Sequence, residues 1–181
     1  AAPEFEGRIR TAPTLDAALE WCEERLLADA DAAPERVTLA SFLEAELADA
    51  RAVTVLSEAF EPVAFAPGEA LMRQGAAPDV LYFVADGKVT ARLERRDGPP
   101  LRFETMEGGS LVGELGFYTG RSRTASVVAD APTRAHRLTR EALERVTADA
   151  PEVAAAFHVL VVRSLARRTG RLMAVLEAVQ R

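Results

Sequence analysis

A chain of 181 residues, 49% of them hydrophobic, carries enough apolar mass for one ordinary domain with accessory helices. A formal charge of −6 and a single cysteine, Cys22, exclude a general polyanion-binding surface and an internal disulfide framework, and fit a reducing compartment. The longest nearly apolar run, Val153 to Val162, is interrupted by His158 and is far shorter than the roughly 20 residues a membrane-spanning helix needs. The first residues also lack the basic and then apolar pattern of a secretory signal.

In chain order, TLDAALEWCEERLLA (14–28) sets Leu15, Ala18, Leu19, Cys22 and Leu26 on one helical face, with acids opposite. The stretch 29–36 has linker composition, and Pro34 marks a break before a second helical segment from about Leu39 to Phe60, in one or two pieces. This divides the chain into residues 1–36, read as the tail of a preceding domain, and 37–181.

From Pro62 the texture changes to short runs punctuated by turn residues. Val89, Ala91 and Leu93 alternate with Thr90, Arg92 and Glu94, and Leu101 and Phe103 with Arg102 and Glu104, the pattern of half-buried strands. Asp86-Gly87 and Asp97-Gly98 supply the positive φ of tight hairpin turns. Several closely spaced short strands predict an antiparallel sandwich or jelly roll.

After Leu138 the period is helical again, and Pro151 opens a long segment to the C-terminus. Val161, Leu165, Leu172, Val175 and Val179 recur at helical spacing, with Arg168 the one polar intruder, so that face calls for the barrel or a second subunit as partner. The fold class expected is α+β: an antiparallel β jelly-roll or barrel flanked by N-terminal helices and a C-terminal helical lid.

The chemistry concentrates in GELGFYTGRSRTASVVA, residues 113–129. A strand leading into a short helical turn leaves main-chain N–H groups of Gly113, Glu114 and Leu115 aimed at one spot, an anion site. Arg123 adds a planar fork able to bond two phosphate oxygens at once, Thr124 a hydroxyl, and Ala125 a low wall. Glu114 is costly beside a phosphate unless it accepts from a sugar hydroxyl instead. A phosphate joined to a ribose, with an apolar base beyond, meets these demands.

That stretch resembles the phosphate-binding cassette of the cyclic-nucleotide-binding domain, the family of the bacterial catabolite activator, protein kinase A regulatory subunits and cyclic-nucleotide-gated channels. The likeness extends to PGEALMRQGAAPDVLYFVADGKV and the final helices, over roughly residues 50–181. Many members have a proline where Ser122 precedes Arg123. The resemblance implies that Glu114 binds the ribose 2′-hydroxyl, that Arg123 binds the cyclic phosphate, and that Gly113, Leu115, Thr124 and Ala125 complete the cassette. Val89, Phe103 and Met106 are the expected base-facing wall, and Leu172 or Met173 of the last helix the lid. The implied ligand is cyclic AMP, with cyclic GMP as the alternative, and no metal: His136 and His158 are the only histidines and stand too far apart for a metal site.

A second resemblance lies upstream. TLDAALEWCEERLL is similar to the segment joining the anti-sigma-antagonist-like (STAS) domain of bacterial sulfate-permease-type (SulP) anion transporters to a fused cyclic-nucleotide domain, and 109–130 and 151–168 also resemble those fusions. This implies a cytoplasmic regulatory part of a membrane protein, with the upstream transporter and STAS domains as partners; the apolar face of the C-terminal helix adds a homodimer as a further expected partner, and the acidic charge argues against nucleic acid. No nucleophile with a nearby base, no paired acids and no Walker loop occur, so the chain is expected to be a binding module and not an enzyme. The alternatives are a ligand-free assembly domain and the sensor of a transcription regulator, the latter disfavoured by the acidic charge and by the little sequence after the long helix.

Overall fold

Two changes of period in the sequence, from helical to alternating and back, divide the structure into helices, strands and helices. Thr38 and Asp49 cap the N-termini of two short helices, their side chains accepting from the main-chain N–H groups of Ser41 and Arg51. These are α1 (Leu39–Glu46) and α2 (Ala50–Ala59), so the segment 39–60 forms two pieces. Eight strands follow: β1 (Glu61–Phe65), β2 (Ala70–Met72), β3 (Val80–Asp86), β4 (Lys88–Leu93), β5 (Leu101–Glu107), β6 (Ser110–Val112), β7 (Ser126–Ala129) and β8 (Thr133–Thr139). A short helix α3 (Glu114–Thr119) interrupts them between β6 and β7, and α4 (Arg140–Asp149) and α5 (Pro151–Val179) close the chain. The computed structural model of the chain describes residues 37–179, and only the backbone of 171, 172 and 174–179. The amphipathic segment 14–28, with Trp21 and Cys22, and the linker 29–36 lie outside the described residues.

The strands form two antiparallel four-stranded sheets, ordered β1-β8-β3-β6 and β2-β7-β4-β5, a jelly-roll-like sandwich. With the helices the architecture is α+β. Strand β3 is buried on both faces, as the near-continuous apolar run VLYFVAD requires. Leu81 and Phe83 join a core built with α1, α2, α4 and α5, while Val84 faces the inter-sheet core of Leu71, Val89, Ala91, Met106, Val112, Val127 and Ala129.

Two local expectations are corrected. Asp86-Gly87 does not close a hairpin, because β3 and β4 belong to different sheets and Gly87 is the corner at which the chain crosses between them. Gly87 has φ +99°, and a Cβ there would lie 2.6 Å from Pro132 O and from Thr133 Oγ1. By contrast, Asp97-Gly98 does lie in the connection of a true antiparallel pair, β4 with β5. The second correction concerns β5. It is an edge strand, so Leu101 and Phe103 are exposed (Phe103 by 53%) and not half-buried. The alternation on β4 is likewise incomplete: Thr90 is fully buried beside Val89 and Ala91, and its hydroxyl hydrogen-bonds Asp130 and meets Thr105.

Candidate functional site

Gly113 ends β6 and caps α3 with φ +89°, a conformation that glycine adopts without strain. A Cβ there would sit 2.6 Å from Met72 Cε and 3.0 Å from Arg123 Nη1, so the bare backbone is what lets the guanidinium lie against the cassette. The C-terminal end of α3 is fixed by Arg140, which donates to Phe117 O at 2.5 Å and lies 4.6 Å above the Phe117 ring. Phe117 itself is buried in the helical core. The helix that carries Glu114 is thus anchored at both ends before any ligand is considered.

Arg123 is held just as firmly. Its N–H donates to Ala76 O at 3.0 Å and its carbonyl accepts from the Gly75 N–H at 2.8 Å, so the β2–β3 connection clamps the loop on both sides. These two bonds do for the loop what rigid backbone ahead of Arg123 would otherwise do, with Ser122 at that position. The guanidinium donates through Nη1 to Gly113 O at 2.7 Å and through Nη2 to Val80 O. It is 5% exposed. Burial pushes Arg123 below the ordinary arginine value, opposed by Asp79, Tyr82 and Glu114 and reinforced by Arg140.

Glu114 is 3% exposed. Burial pushes its carboxyl above the ordinary value; Arg168 and its own backbone N–H pull it down, and Glu104 adds to the rise. Arg168, from α5, donates to Glu114 Oε1 at 2.6 Å through Nη1 and to Glu104 Oε2 of β5 through Nη2. Burial alone would lower Arg168, but the Glu104 hydrogen bond and the charges of both carboxylates hold it above its usual range.

A cavity of about 120 Å³ joins these groups. It is lined by Gly113, Glu114, Leu115, Arg123, Thr124 and Ala125 of the cassette, by Phe103 and Met106 of β5, and by Met72, Ala91, Val112, Gly116, Val127 and Arg168. Eight of the eleven residues singled out in the sequence therefore meet in one place. Val89 is absent from the lining: it is fully buried in the inter-sheet core, two residues before Ala91, which does line the cavity. Met173 is 57% exposed and does not line it, and the Leu172 side chain lies outside the described residues. The residue by which α5 reaches the cavity is Arg168. Its signal in the sequence was the single charge interrupting an apolar helix face.

Among the described residues, four buried side-chain polar atoms have no hydrogen-bond partner: Ser57 Oγ, Arg92 Nε, Glu114 Oε2 and Arg123 Nε. Two of the four belong to Glu114 and Arg123, the two charged cassette residues that line the cavity. An unsatisfied buried acceptor and donor in one cavity are an open valence for a ligand that offers a hydroxyl and an anion.

A jelly roll whose short helix and arginine loop converge on such a cavity defines a class of small-molecule receptor domain. Residues 62–150 match the family model "Cyclic nucleotide-binding domain", and the chain contains a domain of that family, of the kind found in catabolite-activator-type regulators and protein kinase A regulatory subunits. It is 31% identical over 120 residues to a "CRP-like cAMP-activated global transcriptional regulator" of Mycobacterium tuberculosis, a match covering 66% of this chain and 52% of that protein. It is 34% identical over 74 residues to a "cAMP-dependent protein kinase type II regulatory subunit" of Drosophila melanogaster, covering 41% and 19%. Among solved structures, the N-terminal domain of a transcriptional regulator from Streptomyces coelicolor superposes with TM-score 0.61 at 29% identity, over 72% of this chain and 93% of that one. The chain spans about half the length of the first curated relative and less of the second.

Proposed function

We propose that this chain is a regulatory module that binds a 3′,5′-cyclic nucleotide, with cyclic AMP as its ligand. The carrying observation is the pair of unpartnered polar atoms, Glu114 Oε2 and Arg123 Nε, on two buried residues that line one cavity. Oε2 accepts from the ribose 2′-hydroxyl. Arg123 has five N–H donors, and two contacts to main-chain carbonyls leave others for the phosphate oxygens. The apolar side of the cavity, Met72, Phe103, Met106 and Val127, takes the base. Cyclic AMP is favoured over cyclic GMP because the two relatives above are described as cAMP-activated and cAMP-dependent. The module acts by binding.

Isothermal titration calorimetry with cyclic AMP, cyclic GMP and linear 5′-AMP tests the reading. Saturable heat with cyclic AMP, weaker heat with cyclic GMP and none with 5′-AMP is the expected pattern. An absence of heat with all three would leave a ligand-free assembly domain as the better description.

The upstream resemblance of residues 14–27 supports placing the module on a sulfate-permease-type anion transporter, as its cytoplasmic regulatory part beside a STAS domain. The 120-residue match to the mycobacterial regulator favours a second host, a transcription factor. No helix among the described residues is long and apolar enough to cross a membrane. The full-length reading frame decides between the hosts: spanning helices ahead of Ala1 support the transporter, and a DNA-binding domain after Arg181 the regulator.

A further inference from the structure

Five of the eight large hydrophobic side chains exposed among the described residues stand on two neighbouring helices: Leu115 and Tyr118 on α3, and Val159, Val162 and Met173 on α5. Leu115 and Tyr118 are three residues apart and share a face of α3. On α5, Val159 is three residues from Val162, and Met173 lies about three full turns beyond Val162, so these three also share a face. The exposed positions between them, Ala166, Thr169 and Gly170, carry no charge. The 2.8 Å contact of Tyr118 Oη with His158 Nδ1, and the edge-to-face packing of their rings, bring the two faces side by side. Single apolar residues are ordinary on a surface, whereas a contiguous patch marks a place of contact.

The charge beside this patch has one sign. Residues 153–176 hold four arginines and no acid. Arg167 is held by Glu46, and Arg168 by Glu104 and Glu114. Arg163, next to Val162, and Arg121, just past the end of α3, are exposed and make no ion pair among the described residues. The formal charge of −6 does not oppose a local anionic contact, because residues 1–36 hold nine acids against four arginines, and residues 37–181 nineteen acids against eighteen cations. With a Debye length of about 8 Å at physiological ionic strength, the arginines bordering the patch decide what a surface touching it meets.

We propose that this face of α3 and α5 docks on an anionic lipid surface, the apolar stripe entering the headgroup region and Arg121 and Arg163 lying against lipid phosphates. A helix face that is apolar along its length and flanked by arginine is built to lie in that plane. The Tyr118 ring can enter without stranding its hydroxyl, which already has His158 as partner. A second copy of the chain fits the face less well: two such helices side by side would set arginine against arginine, with no carboxylate in residues 153–176 to answer them. A bilayer supplies apolar depth and phosphate together and requires no complementary shape. The proposal is independent of nucleotide binding.

The test is co-sedimentation of the whole chain with vesicles of phosphatidylcholine alone and of phosphatidylcholine mixed with phosphatidylglycerol. Binding to the anionic vesicles, absent with phosphatidylcholine alone and weakened by added salt, is the expected result. Val162→Glu should lower the affinity roughly tenfold or more, and Arg163→Glu several-fold. Leu101→Glu, at an exposed position of β5 away from both helices, should leave it unchanged. All three positions are exposed, so the variants should fold, and circular dichroism checks that they do. No binding to anionic vesicles, or binding that Val162→Glu and Arg163→Glu leave intact, overturns the proposal. Binding to soluble polyglutamate without binding to vesicles also overturns it, by assigning the face to an acidic polypeptide. Sedimentation velocity covers the remaining occupant: a dimer that Val162→Glu converts to monomer, in a chain that ignores vesicles, would assign the face to a second copy.

Discussion

Tyr118 Oη lies 2.8 Å from His158 Nδ1, with the two rings edge to face at 5.5 Å between centroids, so the cassette helix α3 is joined to α5 by a second polar contact besides Arg168. Burial pushes the Tyr118 phenol up to about 12, and burial also raises Tyr82. These are the only two tyrosines in the chain. For a group whose folded value is raised, the associated stability is fully present below the unfolded value near 10 and is lost as pH rises through the folded one. Stability is therefore expected to fall between about pH 10 and 12. Absorbance at 295 nm should show both phenols ionising above the free-tyrosine value, and Tyr118→Phe should remove the higher step. A transition at the value of free tyrosine for both would contradict the desolvation of these phenols.

Gly87 makes the corner between the sheets under two constraints at once, a left-handed φ and a main-chain wall at 2.6 Å. Alanine there meets the carbonyl of Pro132 and the Thr133 Cα, neither of which is a flexible tip. Adding the cost of the left-handed backbone to that of overpacking, Gly87→Ala should destabilise the fold by about 2–4 kcal/mol. Gly98 has φ +104° with nothing within 4 Å of its would-be Cβ, so Gly98→Ala should cost only about 1–2 kcal/mol. Urea unfolding of the two variants makes the comparison, and equal midpoints would show that the corner can relax.

These two glycines also mark what a linear reading can and cannot recover. Asp86-Gly87 and Asp97-Gly98 look alike as strings, because positive φ is a local property; which sheet the next strand joins is decided by burial of β3 on both faces, which is not local. Phe103 alternates like a buried residue, but alternation does not say that β5 is an edge. The cassette was legible because Gly113, Glu114, Arg123, Thr124 and Ala125 lie within thirteen residues and one short loop brings them together. Val89 and Met173 do not line the cavity, and wall and lid positions depend on the inter-sheet packing and on the rotation of α5. Arg168 stood out as a charge in an apolar seam, but its partners, 54 and 64 residues away, are visible only in the fold.

Glu114 bears on stability as well as recognition. Its folded value is raised, so the carboxyl favours the folded state below its unfolded value near 4.3 and this contribution is lost as pH rises through the folded value. At neutral pH the buried charge is a burden that the site carries for its ligand. Glu114→Gln removes the charge while Arg168 keeps Glu104. The variant should unfold at a denaturant midpoint equal to or above that of wild type at pH 7, with an advantage that shrinks on acidification, and should lose discrimination between cyclic AMP and its 2′-deoxy analogue. A variant less stable than wild type at pH 7, by an amount that shrinks on acidification, would show that the Arg168 pair outweighs the burial of the carboxylate.

Arg123 separates recognition from scaffolding less cleanly, because its guanidinium also holds the carbonyls of Gly113 and Val80. Arg123→Ala leaves two carbonyls without that donor and should cost about 1–3 kcal/mol of stability in addition to the ligand. The affinity for cyclic AMP should fall by about 2–5 kcal/mol, the loss expected when one partner of a buried charge pair is removed. Arg123→Lys keeps the charge but cannot reach both carbonyls and a phosphate with one ammonium, so it should retain more stability than Arg123→Ala while still losing most of the affinity. Thermal unfolding and calorimetry on the same samples distinguish the two effects. Wild-type affinity in Arg123→Lys would mean that a point charge suffices and that the planar fork is not what recognises the phosphate.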